Sequence, residues 1–314
     1  MKKNMINRVH LEGKLYQHKL ERKTTGANSK APGTEYIRGT IEVATDDNVT
    51  NIVSVNYTYV TAKYSSGKEN PNFKILGDII DGKYQTCITD GAASATNVSI
   101  DTSIGVNDFY SNRQTDENGD PVLVSAKRND GGFIRIVKTV KTDEKARNTF
   151  NADIVITGFT IKEADEEKGL PEKGIIKGAT FDFKNALLPV EFSVINSNAI
   201  SYFEGLNTSA KEPVFTQVKG TQVSEVVKKT ITIEGAFGDE VKEVENSRKD
   251  WIVTWAQADP YEWDTEETIT SADLKKAMTD RQTYLAEVKA RYEESQKNKE
   301  SAPASSNDGD AFNF

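Results

Sequence analysis

The chain has 314 residues, 36% of them hydrophobic and 9% aromatic, which is enough to bury two cores and too polar for any segment to span a bilayer as a helix. Its single cysteine, Cys87, excludes an intrachain disulfide framework, and with only His10 and His18 beside it no Cys/His zinc site can be assembled. The net charge of -8 is uneven, with 21 Lys/Arg against 18 Asp/Glu in residues 1–150 and 19 against 30 in residues 151–314. A nucleic-acid binder is ordinarily basic, so that function requires acid to be segregated from the binding face.

No apolar segment follows the N-terminal lysines in MKKNMINRVH, so a secretory signal is not expected, and the expected compartment is the cytoplasm. Ile6 to Leu15 alternates, with Val9, Leu11, Gly13 and Leu15 on one face and Arg8, His10, Glu12 and Lys14 on the other. This is a half-buried strand, with a glycine where a wall bends or another backbone comes close. A basic loop from Gln17 to Gly33 leads to a second strand, Tyr36 to Ala44. Its Ile37, Gly39, Ile41 and Val43 point inward, and Tyr36 and Arg38 point outward. A turn at Asp46-Asp47-Asn48 precedes a third strand, Ile52 to Val60, in which Val53, Val55, Tyr57 and Tyr59 share a face. An irregular or helical piece runs to about Gly77. Strands are then expected at Tyr84 to Thr89 and Phe133 to Val140, with a hairpin tip in DENGDP at 116 to 121. Five strands with a helix after the third outline an OB-fold barrel.

The second half repeats the outline. Ile154, Ile156 and Gly158 echo the opening strand, Ile176-Lys177-Gly178 echoes Ile37-Arg38-Gly39, and Val190, Phe192 and Val194 give a third strand. A helix is expected at Ser197 to Gly205, with further strands at Val214 to Thr221, Lys228 to Glu234 and Asp250 to Gln257. From Thr270 a capping signal opens an amphipathic helix with Leu274, Met278, Leu285, Val288 and Tyr292 as its stripe, expected to dock on the second barrel. The expected organisation is mainly β: a barrel in 1–150, a second in 151–268, a helix in 269–299 and a disordered acidic tail in 300–314.

Both ends of the chain resemble the bacterial single-stranded DNA-binding protein family and its phage-encoded counterparts. The residues that carry the likeness are Ile6-Asn7-Arg8-Val9 with Leu11 and Gly13-Lys14-Leu15, and the terminal stretch Asn307 to Phe314. The resemblance implies an OB-fold protein that coats single-stranded DNA during replication, recombination or repair. It also implies that the acidic tail, with Asp308, Asp310, Phe312 and Phe314, recruits partner proteins. The sequence departs from the family in its length, in holding two barrels, and in having Asn313 where the tail has a proline.

Sequence-independent binding of single strands needs cations along the phosphates and aromatic faces for the bases. The first barrel offers Arg8, Lys14, Tyr36, Arg38, Tyr57, Tyr59, Lys63, Tyr64, Phe73, Lys74, Phe133 and Arg135. For Tyr57, Tyr59 and Phe133 a core position is an equal reading. Trp251 and Trp255 share a face of the last strand and are expected in the core. Few histidines and no phosphate-cradling glycine loop argue against an enzyme, and neither cofactor nor metal is expected. A virion or other assembly protein built of β-domains is the alternative function, and a strand-annealing protein is a third.

Overall fold

The computed structural model describes residues 5–164, 171–233, 240–265 and 268–300, without the side chains of 112, 225–248 and 298–300. Among these residues the first half forms strands β1 (Asn7–Thr24), β2 (Glu35–Ala44), β3 (Ile52–Thr61), β4 (Asn97–Thr115) and β5 (Pro121–Ile136). Helices α1 (Pro71–Ile80) and α2 (Cys87–Asp90) lie between β3 and β4. The second half forms β6 (Asn148–Lys162), β7 (Lys173–Phe181), β8 (Leu187–Val194), helix α3 (Ser197–Gly205), β9 (Val214–Ile233) and β10 (Glu240–Ala256), and α4 (Ser271–Glu300) follows.

β1 pairs with both β2 and β4, β2 with β3, and β4 with β5, and β3 meets β5 in parallel at Val55↔Asn129 and Asn56↔Asp130. That circuit closes a five-stranded barrel with a helix between its third and fourth strands, the OB topology. The second half repeats it: β6 pairs with β7 and β9, β7 with β8, β9 with β10, and β10 meets β8 in parallel at Ile252↔Ser193. The tandem-barrel expectation is met by strand order. The echo of Gly13 in Gly158 is out of step, however, because bulges between Leu15 and Gln17 and between Ile156 and Gly158 make Tyr16 and Thr157 the counterparts.

Closure depends on glycine. A Cβ on Gly13 would stand 1.9 Å from the Ala44 carbonyl oxygen, and one on Gly39 would stand 2.0 Å from that of Lys19 at a φ of +126°. Both are points where neighbouring strands press together. α1 starts where Asn70 accepts a bond from the Asn72 amide and Pro71 presets the first turn. α3 starts the same way at Asn196.

Two expected strands are corrected. Tyr84 to Thr89 is no strand, because Thr86 caps the short α2 and its hydroxyl accepts from the Thr89 amide. The pieces expected at 214–221 and 228–234 are one strand, β9. Both β4–β5 and β9–β10 are hairpins far longer than a barrel wall, and on β4 beyond the wall the covered face carries polar residues such as Asp108, which meets Arg281 of the C-terminal helix, while Asn107 and Phe109 on the other face are exposed. The tip between β4 and β5 falls where DENGDP placed it, with the Asp116 carboxylate accepting from the Asn118 and Asp120 amides at 2.9 Å each.

The barrels are one sheet, because β1 also pairs antiparallel with β6, from Asn7↔Ala152 to Leu11↔Asn148. Asn7 fastens this seam by donating to the Ile104 and Phe181 carbonyls at 2.9 and 3.1 Å and accepting from the Ile104 amide. A second fastening is the buried amide pair Asn129 and Gln222, which exchange bonds of 2.9 and 3.1 Å across the barrels. One apolar cluster runs through both, from Leu11, Ile41 and Tyr57 to Phe150, Ile154 and Phe192. α4 begins with a capping box between Thr270 and Asp273 and buries Ala277 with Phe181, Phe215 and Ile269. It then crosses to the first barrel, where Arg281 clamps both oxygens of Asp108 at 2.7 and 2.5 Å and Tyr292 stacks on Tyr110 at 4.9 Å. The helix therefore spans both barrels instead of docking on the second alone, and Met278 of the expected stripe is exposed. Among the described residues no helix is long and apolar enough to cross a membrane.

Gly39→Ala is expected to destabilise the fold by about 2–4 kcal/mol, since it combines a disfavoured φ with a backbone clash. Gly26→Ala, with no atom within 4 Å of the new methyl, should shift a urea-unfolding midpoint little; equal midpoints for the two variants would contradict this account of closure.

Candidate functional site

The outward surface of β2 and β3 carries the first candidate group. Tyr36 faces Thr61 across β3 and Lys23 across β1, and Arg38 lies opposite Glu21. The Tyr36 and Tyr59 rings are 4.8 Å apart and tilted by 40°, with Tyr59 51% exposed. Lys63 and Tyr64, both exposed, continue from the end of β3 on a small hairpin closed by the Lys63↔Glu69 bridge. Arg38 is 2.5 Å from Glu21, and Lys23 shares that carboxylate at 3.0 Å. These bonds hold the Glu21 carboxyl below the usual carboxylate range.

Tyr57 is not part of this surface. It is 2% exposed within the core, and burial drives its hydroxyl pKa upward. The separation has a backbone cause. Between Ile37↔Val60 and Gly39↔Tyr57 β3 carries one extra residue, a bulge that turns Tyr59 outward while Tyr57 stays inside. A bulge between Val253 and Trp255 does the same on β10. Trp251 packs against Phe150 and Phe192, whereas Trp255 is turned outward with the Lys219 amine 4.3 Å from its ring centroid. The expected shared core position of the two tryptophans is thus corrected.

The remaining candidates lie elsewhere. Phe133 is 59% exposed and Arg135 stands beside it on the β4–β5 wall, where Arg135 donates to Asp101 and His10 Nδ1 lies 2.7 Å from the same carboxylate. Asn72 joins α1 to this wall by donating to the Gly132 carbonyl at 2.6 Å, which brings Phe73 and Lys74 near it. Phe73 packs against the core, and Lys74 is engaged with Asp78 at 2.8 Å. Arg8 lies at the seam opposite Asn151, and Lys14 is opposite Ala44 and Asn97 at the other end of that run of β1. Asp308, Asp310, Phe312 and Phe314 lie outside the described residues. The twelve barrel candidates therefore form one coherent surface (Tyr36, Arg38, Tyr59, Lys63, Tyr64), a second around Phe133, and isolated members.

A cleft of about 700 Å³ opens between the barrels, walled by β3 and β5 of the first and β7, β8 and β10 of the second. Six cations line it, Lys127, Arg128, Lys162, Lys173, Lys177 and Lys249, against the carboxylates of Glu191 and Asp250. Lys173 holds Asp250 at 2.6 Å and Ser193 donates to it at 2.6 Å. Burial works to raise the Asp250 carboxyl, but these bonds outweigh it and hold it below its usual range. The Lys127 amine donates to the Glu191 carbonyl and sits over the Phe192 and Trp251 rings at 4.6 and 4.9 Å. Burial lowers its pKa to about 7, against the pull of Asp250 and Glu191. Sequence reasoning missed this cleft because its cations come from four strands, β5, β6, β7 and β10, in two barrels. Among the described residues no three His, Cys, Asp or Glu side chains gather as a metal-binding group.

Two closed barrels sharing one sheet define a tandem OB-fold protein. The chain belongs to the YorF family, whose model matches residues 5–291. Comparison with the sequences of curated proteins finds no match. Among solved structures it is similar to a deletion mutant of the single-stranded DNA binding protein from Thermus aquaticus, at 8% identity and a TM-score of 0.43, over 81% of this chain and 94% of that one.

Two outcomes follow from the buried groups. The Tyr57 hydroxyl has no hydrogen-bond partner among the described residues, so Tyr57→Phe should leave stability unchanged or raise it by up to about 1 kcal/mol in urea unfolding; a clear loss would mean the hydroxyl is bonded. Lys127 has a folded pKa of about 7 against an ordinary 10.5, so between those values the unfolded chain holds more protons and wild-type stability rises with pH. Lys127→Met should accordingly gain most over wild type at pH 6 and least at pH 10, and a pH-independent difference would contradict the buried amine.

Proposed function

We propose that this protein binds single-stranded DNA without sequence preference, as a binding protein and not as an enzyme. The observation that carries the reading is the Tyr36–Tyr59 pair, a half-buried ring beside an exposed one on the outward β2–β3 surface of an OB barrel, flanked by Arg38, Lys23 and Lys63. That surface is where OB-folds take oligonucleotides, and each base stacked on an aromatic ring contributes about 1–3 kcal/mol. The cations suit phosphates spaced along the same surface, and their exposure predicts strong weakening by salt.

The acidic excess of the second half does not oppose this reading, because much of it is gathered in stretches of sequence, Asp259 to Glu267 and Asp308 to Phe314, separate from the strands that carry the cations of β2 and of the cleft. We extend the proposal to a role in replication or recombination, with the terminal Asp308, Asp310, Phe312 and Phe314 holding partner proteins; its support is the acidic and aromatic composition of that segment.

Titration of a fluorescent oligothymidine at several salt concentrations is the direct test, and absence of binding at low salt would overturn the proposal. Tyr36→Ala and Tyr59→Ala should each weaken binding by about 1–3 kcal/mol, roughly 5- to 150-fold. Phe133→Ala should leave affinity within about twofold if the β2–β3 surface is the track, whereas a larger loss there than at Tyr36 would move the site to the β4–β5 wall.

A further inference from the structure

We propose that the cleft between the barrels is a second phosphate-binding site, through which a single strand held on the first barrel continues onto the second. This rests on the proposed single-strand binding and adds the path of the strand.

Three observations converge on the cleft. Its charge is lopsided, and the two carboxylates it contains are already engaged, Asp250 by Lys173 and Ser193 and Glu191 by Lys177 at 3.9 Å. Lys162 and Lys249 are exposed and have no ion-pair partner among the described residues, although they come from different strands and face one space. Like charges gathered without counter-charge repel one another, and an arriving phosphate relieves that repulsion. The space is of a size that admits small ligands and short segments of a chain.

The walls also keep a fixed relation. Arg128 belongs to β5 and Lys162, Lys173, Lys177 and Lys249 to β6, β7 and β10, so a strand bridging the cleft touches both barrels. The Asn129–Gln222 amide pair, which lines the cleft, and the β1–β6 ladder join those barrels without any nucleic acid. Preformed sites lose little binding energy to ordering. Lys127 adds a distinguishing property. Its amine is faced by Asp250 on β10, Glu191 on β8, Lys173 on β7 and Arg128 on its own strand, and burial depresses its pKa. A phosphate beside it favours the protonated form, so occupancy of the cleft takes up a proton near neutral pH.

The test uses the full chain and fluorescent oligothymidines of about 10 and about 30 nucleotides, the shorter sized to one barrel and the longer to both. The double variant Lys162→Glu with Lys249→Glu should bind the longer strand at least about tenfold more weakly, with a salt slope lower by about 2, and bind the shorter strand as wild type does. Lys211→Glu with Lys275→Glu, exposed lysines outside the cleft, reports the effect of net charge alone. Unchanged urea-unfolding midpoints confirm that both variants fold. Wild-type binding of the longer strand that the cleft variant retains, or loses no more than the control variant, overturns the cleft while leaving the β2–β3 surface standing. Failure of wild type to bind either strand overturns both.

Discussion

The antiparallel ladder between β1 and β6 is the interaction on which the rest of this molecule depends. In its first half β1 is bonded on one side to β4 and on the other to β6, and its second half turns away to pair with β2. One strand therefore closes its own barrel and joins it to the next. The join is polar where it is buried: Asp153, fully buried, accepts from the Ile6 amide at 2.8 Å, and Asn7 reaches strands of both barrels. Buried polar groups satisfied in this way contribute modest net stability but are costly when mismatched, so they set register more than they add energy.

Because the barrels are welded and not tethered, the surfaces between them become part of the protein's chemistry. The cleft exists only because β3 and β5 of one barrel face β7, β8 and β10 of the other. α4 strengthens this arrangement from another direction. It buries Ala277 beside Phe181 and Phe215 of the second barrel and closes its Arg281 on Asp108, whose side chain is almost wholly buried in the first. Removing one partner of such a pair would leave an uncompensated buried charge, typically costing about 3–5 kcal/mol. An acidic chain can thus carry a basic groove, since the fold decides which charges share a surface.

Much of this was legible in the alternation of particular residues. Val9, Leu11 and Leu15 are buried and Arg8 is exposed, as the opening strand indicated, and Ser197 to Gly205 is a helix as read. The Asp116 turn was readable because Asp and Gly leave a local chemical signature. Strands of the long hairpins were harder, since beyond the barrel wall the covered face of β4 holds a polar residue, Asp108, and the open face a large apolar one, Phe109, the reverse of what alternation expects. Tyr57 and Tyr59, two apart, looked equivalent because alternation assumes an unbroken pleat.

Sequence by itself determined the fold class, the repeat of a β-rich unit with a helix after its third strand, and core positions such as Val9, Leu11, Ile41 and Val55, because local periodicity reports which face of a strand leaves water. Tertiary structure alone decided which aromatic rings are available, since a bulge of one residue on β3 exposes Tyr59 and another on β10 exposes Trp255. It also decided the cleft, where Lys127 and Lys249 meet from strands of different barrels. Bulges arise from the register between neighbouring strands and clefts from the packing of whole barrels, and neither leaves a trace in the spacing of residues along the chain.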